Sequence, residues 1–358
     1  MKRLGIAVLA SLLLTAPAAA QLQITPPAAV PSPAPDKQKP KEKPKTTPHT
    51  IAKKKDAAPK PSASPTPTLP ATVIPAPPTD DSNVDLVFGA YQRGQYKTAF
   101  DLATARAKTG DPKAMTMLGE LYSNAMGIRR DYAKALEWYK RASDAGDREA
   151  MFALAMLRMS GRGGPVDKGE AVKLMASAAK LGEPKAAYNL ALLYIDGQTL
   201  PQDVRRSAEL LRQAADAGLP EAQYALATFY KEGTGVPKDP DRAVRLLQAA
   251  SLADNVDAEV EYAIALFNGT GTPQNRPAAV ALLRKASRQG SAIAQNRLAW
   301  VLINGMGVPV DKVEGFKWHL VAKTSGKGDP ELDKQLSDLP ADDRAKAEAA
   351  ARKWLGTK

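Results

Sequence analysis

The chain has 358 residues, a formal net charge of +12 and no cysteine. The missing cysteines exclude disulfides, thiolate metal sites and a cysteine nucleophile. A chain of this length is still able to bury a hydrophobic core without cross-links, and its length alone is compatible with two domains.

The N-terminus predicts a secretory signal peptide over residues 1–20. Two basic residues precede an apolar run over 4–14, which is too short to cross a bilayer. Small residues then lead to Ala20, which predicts cleavage before Gln21. The alternative is an uncleaved membrane anchor. Either way we expect export, to the periplasm or out of the cell.

Residues 21–83 predict a disordered linker rich in proline, lysine and alanine. The stretch 21–79 holds 16 of the 29 prolines, and its nine lysines against three acidic residues give it a net charge of +6. Such a composition cannot bury enough apolar surface to fold. Two roles stay open: a semi-rigid spacer, or a basic tail that contacts anionic cell-wall or membrane groups. Because the basicity is concentrated here and export is expected, nucleic acid is not predicted as a partner.

The rest of the chain repeats with a period of 36 residues. The position at the junction between successive units is glycine in every copy except Asp254: Gly110, Gly146, Gly182, Gly218, Asp254, Gly290 and Gly326. Nine residues further on, every position is small: Gly119, Ala155, Ala191, Ala227, Ala263 and Ala299. Each unit reads as two helices, A and B, joined by a turn. One unit cannot bury both of its faces, so we expect the units to stack.

The glycine-rich stretch Ser160–Glu170 raises the question of a phosphate-binding loop. Gly161 and Gly163 recur in other units, however, while Lys168 does not. An Asx residue follows each turn where helix B begins, namely Asp131, Asp167, Asp203, Asp239, Asn275 and Asp311. Such residues cap helices. The stretch is therefore predicted to be a turn rather than a nucleotide site.

The pattern over Ala114–Ala142 resembles the Sel-1-like repeat family, which is related to tetratricopeptide repeats, and similar copies cover about residues 84–325. The resemblance implies an all-α, right-handed solenoid of helix-turn-helix repeats. We expect an N-terminal capping helix pair at 84–109, six repeats at 110–325 and C-terminal capping helices at 326–358. Thr199, Arg158 and Asp254 depart locally from the pattern.

No catalytic, metal or cofactor site is predicted. The chain has two histidines, of which His49 lies in the linker and His319 lacks a second histidine or cysteine nearby in sequence. The recurrent aspartates are assigned to capping. The resemblance implies a non-enzymatic scaffold that binds an envelope or signalling protein. The alternative is a hydrolase that acts on cell-wall material or β-lactams.

By analogy with tetratricopeptide repeats, the concave surface is predicted to bind the partner through the fifth and ninth positions of the A helices. The candidates are Glu120, Phe152, Met156, Tyr188, Leu192, Tyr224, Thr228, Ile264, Asn296 and Trp300, with Thr116 and Val260 in the same columns. For Tyr188 and Tyr224 the alternative is that they only fill the core.

Overall fold

The computed structural model describes residues 85–356, and the predicted signal peptide and linker lie outside them. The described part holds 16 α-helices and no strand. In chain order they are α1 Leu86–Gln92, α2 Tyr96–Lys108, α3 Pro112–Asn124, α4 Tyr132–Asp144, α5 Arg148–Ser160, α6 Lys168–Lys180, α7 Pro184–Asp196, α8 Val204–Asp216, α9 Pro220–Glu232, α10 Pro240–Leu252, α11 Val256–Asn268, α12 Arg276–Arg288, α13 Ala292–Asn304, α14 Lys312–Thr324, α15 Pro330–Ser337 and α16 Ala341–Gly356.

The six repeats each contribute an A helix and a B helix of 13 residues. Helices α3, α5, α7, α9, α11 and α13 are the A helices, and α4, α6, α8, α10, α12 and α14 are the B helices. Each of these repeat helices packs against the one before and the one after it. This consecutive packing confirms the predicted all-α solenoid.

The turns between A and B helices follow the sequence prediction. Each of the six B-helix Asx residues accepts a hydrogen bond from the backbone N–H three residues on, at 2.8–3.1 Å. Gly161 ends α5 with φ = 67°, a left-handed conformation that favours glycine. A Cβ at Gly163 would collide with the backbone of Tyr132, at the start of the preceding B helix. The second turn glycine therefore lets neighbouring units approach each other.

The small columns lie where helices A and B cross. The six small residues from Gly119 to Ala299, which occupy the eighth position of the A helices, are all buried. In the first repeat a Cβ on Gly119 would lie 2.6 Å from the ring of Tyr139, which is itself 4% exposed. In three other repeats the same pair is an alanine and a leucine. The two columns thus compensate each other in volume.

The repeats are flanked by α1 and α2 at one end and by α15 and α16 at the other. Helix α16 packs against α14, where the rings of Trp318 and Trp354 meet edge to face at 5.1 Å. His319 of α14 is fully buried, and its Nε2 lies 2.8 Å from Asp333 Oδ1 of α15. Within residues 85–356, no helix combines the length and apolar character needed to cross a membrane.

Candidate functional site: the A-helix face

One stripe of each A helix faces solvent. Its second position is exposed in all six repeats: Lys113, Glu149, Lys185, Glu221, Asp257 and Ile293. Positions six, nine and thirteen fall on the same side of an α-helix as position two. We call the surface formed by these four columns the A-helix face.

The structure separates the two predicted columns. Position nine lies on the A-helix face, where Met156 is exposed and Leu192 is buried, while the other four residues are partly buried. Position five lies at the flank that meets the next unit. Thr116, for example, donates from Oγ1 to Asp147 Oδ1 of the next repeat at 3.1 Å. In the same column Val260 is buried.

The two ends of the A-helix face are engaged by the flanking segments. Glu120 accepts a hydrogen bond from Tyr91 of α1, with 3.3 Å between Tyr91 Oη and Glu120 Oε1. At the other end Trp300 donates from Nε1 to Asp329 Oδ2 at 2.8 Å, and Asn296 Nδ2 donates to the Lys327 carbonyl at 3.4 Å. These three predicted candidates therefore have structural partners within the chain.

Beside the middle of the face, on the position-five flank, Tyr188 and Tyr224 are partly buried and their rings pack against the hydrophobic core, as does Phe152. Neither tyrosine hydroxyl forms a hydrogen bond to any residue of the described part. Burial, and then the Glu221 carboxylate, raise the pKa of Tyr188 to about 12. Each tyrosine thus contributes to the core while it presents an unpaired hydroxyl, so the two interpretations of these residues are compatible.

Carboxylates cluster around Tyr224. Burial raises its pKa, and the charges of Glu261, Asp257 and Glu232 raise it further. Asp257 is affected in turn, because partial desolvation and then the Glu261 charge raise the pKa of its own carboxyl. The one ion pair recorded for these carboxylates in the described part joins Lys231 Nζ to Glu261 Oε2, at 2.8 Å.

These acidic residues are not among the site residues predicted from the sequence. Glu221 and Asp257 share position two of successive repeats, and Glu261 follows Asp257 by one helical turn. When the repeats are aligned, this spacing predicts that the acidic residues are neighbours on the surface of the A helices. The middle of the face therefore places acidic residues next to the partly buried aromatic rings of the position-five flank, on a protein that is basic as a whole.

The described histidine and the recurrent aspartates have structural partners. His319 is fully buried, and its side chain is hydrogen-bonded to Asp333. No group of three or more potential metal ligands comes together between residues 85 and 356. The recurrent aspartates cap the B helices.

A family model described as Sel1 repeat matches six consecutive segments, at residues 112–147, 148–183, 184–219, 220–255, 256–291 and 292–326. The chain belongs to the Sel1 repeat family. The matched segments begin at or beside the first residue of each A helix, so the family's repeat coincides with the structural unit described above. The Sel1 repeats of this chain thus run without a gap from α3 to the end of α14.

Two solved structures share the fold. One is c5321 from Escherichia coli, a protective antigen present in uropathogenic strains that displays an SLR fold, with a TM-score of 0.63 and 26% identity. The match covers 72% of this chain and 56% of that chain, so it spans little more than half of that relative. The other is a Sel1 repeat protein from Oxalobacter formigenes, with a TM-score of 0.57 and 24% identity over 66% of this chain and 94% of that chain. Curated protein sequences gave no significant match.

Proposed function

We propose that this Sel1 repeat protein is a non-enzymatic scaffold that binds another protein through the middle of its A-helix face, in the periplasm or outside the cell. The observation that carries the proposal is the contrast along that face. Among residues 85–356, flanking segments engage the ends of the face through Glu120 and Trp300, whereas the stretch beside Tyr188 and Tyr224 has no such contact. Solenoids use extended surfaces of this kind for binding.

The chemistry of the middle stretch suits a protein ligand. Binding energy at protein interfaces concentrates in a few aromatic anchors, and a tyrosine offers both an apolar ring and a hydrogen-bonding hydroxyl. Because core packing fixes the rings of Tyr188 and Tyr224, little side-chain entropy is lost when a partner docks. Met156 and Ile264 extend the apolar surface on either side of the pair.

The extracellular or periplasmic location rests on the predicted signal peptide. The predicted linker then separates the solenoid from any attachment near the N-terminus. Fractionation of cells that make the native chain tests this part directly. Recovery in the periplasm or medium, with an N-terminus at Gln21, is the expected result, and a cytoplasmic chain that retains Met1 would contradict it.

The binding proposal is tested by cross-linked capture of partners from the cell envelope. The test variant is Glu221→Lys with Thr228→Arg, which changes charge and bulk on the A-helix face without removing either tyrosine from the core. The matched control is Asp216→Lys with Gln248→Arg, two exposed positions on B helices. Both variants should keep the helical circular dichroism of the parent protein.

We expect the A-face variant to lose a partner that the parent and the B-helix variant both capture. Because interface hot spots are worth 2 kcal/mol or more, the loss should be at least about thirtyfold in affinity. If all three proteins capture the same partner equally well, the A-helix face is not its binding site.

A further inference from the structure

We infer that the joint between the fourth and fifth repeats, where α10 meets α11, is an electrostatic latch at which the solenoid flexes, in contrast to the joints on either side. The latch consists of Asp254, Glu259 and Lys285. It lies between Thr228 on the A helix of one repeat and Ile264 on the A helix of the next. Its opening therefore changes the shape of the A-helix face, but the latch itself is independent of what binds there.

Glu259 is a fully buried acid at the fourth position of its A helix. The same column holds apolar or amide side chains in the other repeats, namely Met115, Met151, Ala187, Gln223 and Gln295. Each glutamine bonds to the preceding B helix: Gln223 Nε2 donates to the Ala215 carbonyl at 3.3 Å, and Gln295 Nε2 donates to the Ser287 carbonyl at 3.1 Å. An ionised carboxylate has no hydrogen to donate. Neither carboxylate oxygen of Glu259 forms a hydrogen bond within residues 85–356, so this joint lacks the bond found in the joints before and after it.

One lysine balances the buried charge. Lys285 of α12 places Nζ 2.7 Å from Glu259 Oε1, and it donates to Asp254 Oδ1 at 2.6 Å. Asp254 lies in the turn after α10, so the lysine connects the two sides of the joint. The Glu259 side chain is 0% exposed, whereas that of Lys285 is 39% exposed and can leave for water. Because a buried carboxylate without a cation is strongly unfavourable, closure of the joint depends on this one ammonium group.

The backbone of Asp254 adds strain to the same joint. All the other junction residues are glycine, whereas Asp254 holds φ = 59° with a Cβ present. A left-handed conformation is unfavourable for residues other than glycine, although aspartate tolerates it better than most. Glycine would fit this turn at lower cost, but it could not bind Lys285. The junction therefore combines backbone strain with a contact that only the closed latch makes.

These features bring the closed and open states of this joint close in energy. Opening hydrates Glu259 and relaxes Asp254, and neither gain is available at a joint built from glutamine and glycine. The motion stays local, because each repeat of a solenoid contacts only its neighbours. We therefore expect this joint to open before the joints on either side of it.

The test measures distances across the joint by pulsed electron paramagnetic resonance. Because the chain has no cysteine, spin labels attach only at introduced ones. The pair Lys180→Cys and Arg288→Cys spans three joints that include the latch. The control pair, Asp144→Cys and Leu252→Cys, spans the three joints from the first repeat to the fourth. All four positions are exposed and end a B helix.

We expect the pair across the latch to have the broader distance distribution in the parent chain. Lys285→Met removes the ammonium group, and it should broaden that distribution further while the control pair stays unchanged. Addition of Glu259→Gln should restore the narrower distribution, because a glutamine here can donate to the Ser251 carbonyl as Gln223 and Gln295 do to theirs.

Hydrogen exchange gives a second readout that includes the unsubstituted chain. In the parent protein, amides of α11 should exchange faster than those of α9 and α13, the corresponding A helices of the neighbouring repeats. Lys285→Met should speed exchange in α11 at least about tenfold, since it leaves a buried charge unpaired, and Glu259→Gln should reverse the effect. Exchange in α5, far from the joint, should not change.

Equal exchange in α9, α11 and α13 of the parent chain would overturn the latch, even if Lys285→Met fails to fold. So would equally broad distributions from both labelled pairs, or broadening of both pairs by Lys285→Met, which indicates a general loss of stability. Capture of a partner tests the proposed function separately, so either proposal can fail without the other.

Discussion

Replacement of a glycine by alanine, where helices A and B of the first repeat cross, tests the packing between them. The question is whether a small residue on helix A is matched in volume by a large residue on helix B. Gly119→Ala adds a methyl group 2.6 Å from Tyr139 Cδ1 and Cε1, well inside van der Waals contact. Tyr139 is 4% exposed and its hydroxyl lies 3.4 Å from Ser123 Oγ, so the ring has little room to move. Overpacking of this kind costs about 1–3 kcal/mol of unfolding free energy.

The compensating change is Tyr139→Leu. Alone, it removes a buried ring beside a glycine and leaves a void, at a cost of about 1–3 kcal/mol. Together the two changes recreate the alanine–leucine pairs found in three other repeats, namely Ala191 with Leu211, Ala227 with Leu247 and Ala263 with Leu283. We expect the double variant to be more stable than the sum of the single effects by at least about 1 kcal/mol.

The assay is urea denaturation, followed by circular dichroism, of the parent protein, the two single variants and the double variant. Because repeat arrays can unfold unit by unit, hydrogen exchange in α3 and α4 should be measured as well. Protection in those two helices should fall in each single variant and recover in the double variant. Additive effects, or single variants without effect, would refute the packing argument.

Three further changes have expected outcomes. Ala125→Gly should stabilise the protein by about 0.5–1 kcal/mol in thermal melts, because Ala125 has φ = 59° where the other five repeats have glycine. Asp203→Ala should cost about 1 kcal/mol in the same assay, because the Asp203 side chain caps α8 through the Arg206 N–H at 2.8 Å. The third change is Asp257→Asn. The folded protein raises the pKa of Asp257, which means that the folded state disfavours the ionised carboxylate. Ionisation therefore lowers the free energy of unfolding at pH values above the folded-state pKa, and this effect is absent below the unfolded-state pKa of about 3.9. The asparagine variant should therefore melt higher than the parent near pH 7 and together with it near pH 2.5; a larger gain in acid would contradict the assigned direction.

The repeat frame made most of the fold predictable. A period of 36 residues with an Asx residue after every turn defines where each B helix begins, because the cap is a local interaction between a side chain and a backbone amide three residues away. The left-handed turn glycines are equally local. Backbone conformation at Gly161 follows from the absence of a Cβ and needs no knowledge of the neighbouring units.

The candidate site was predictable only in part. The sequence identifies the A helices and their partly buried tyrosines, but the rotation of each A helix against the next depends on packing between units. Position five therefore turned out to face the neighbouring repeat, as Thr116 does through Asp147. Contacts with the flanking segments were also beyond the repeat pattern, because Tyr91 and Asp329 lie outside the six repeats.

The central claim is that a partner protein lies on the middle of the A-helix face, and site-specific photocross-linking in living cells tests it most directly. A benzophenone amino acid is placed at Thr228 on that face or, as the matched control, at the exposed Gln248 of B helix α10. We predict a discrete adduct of one partner on irradiation of the Thr228 protein and none from the Gln248 protein. Adducts from Gln248 alone, or the same adducts from both positions, would contradict the claim.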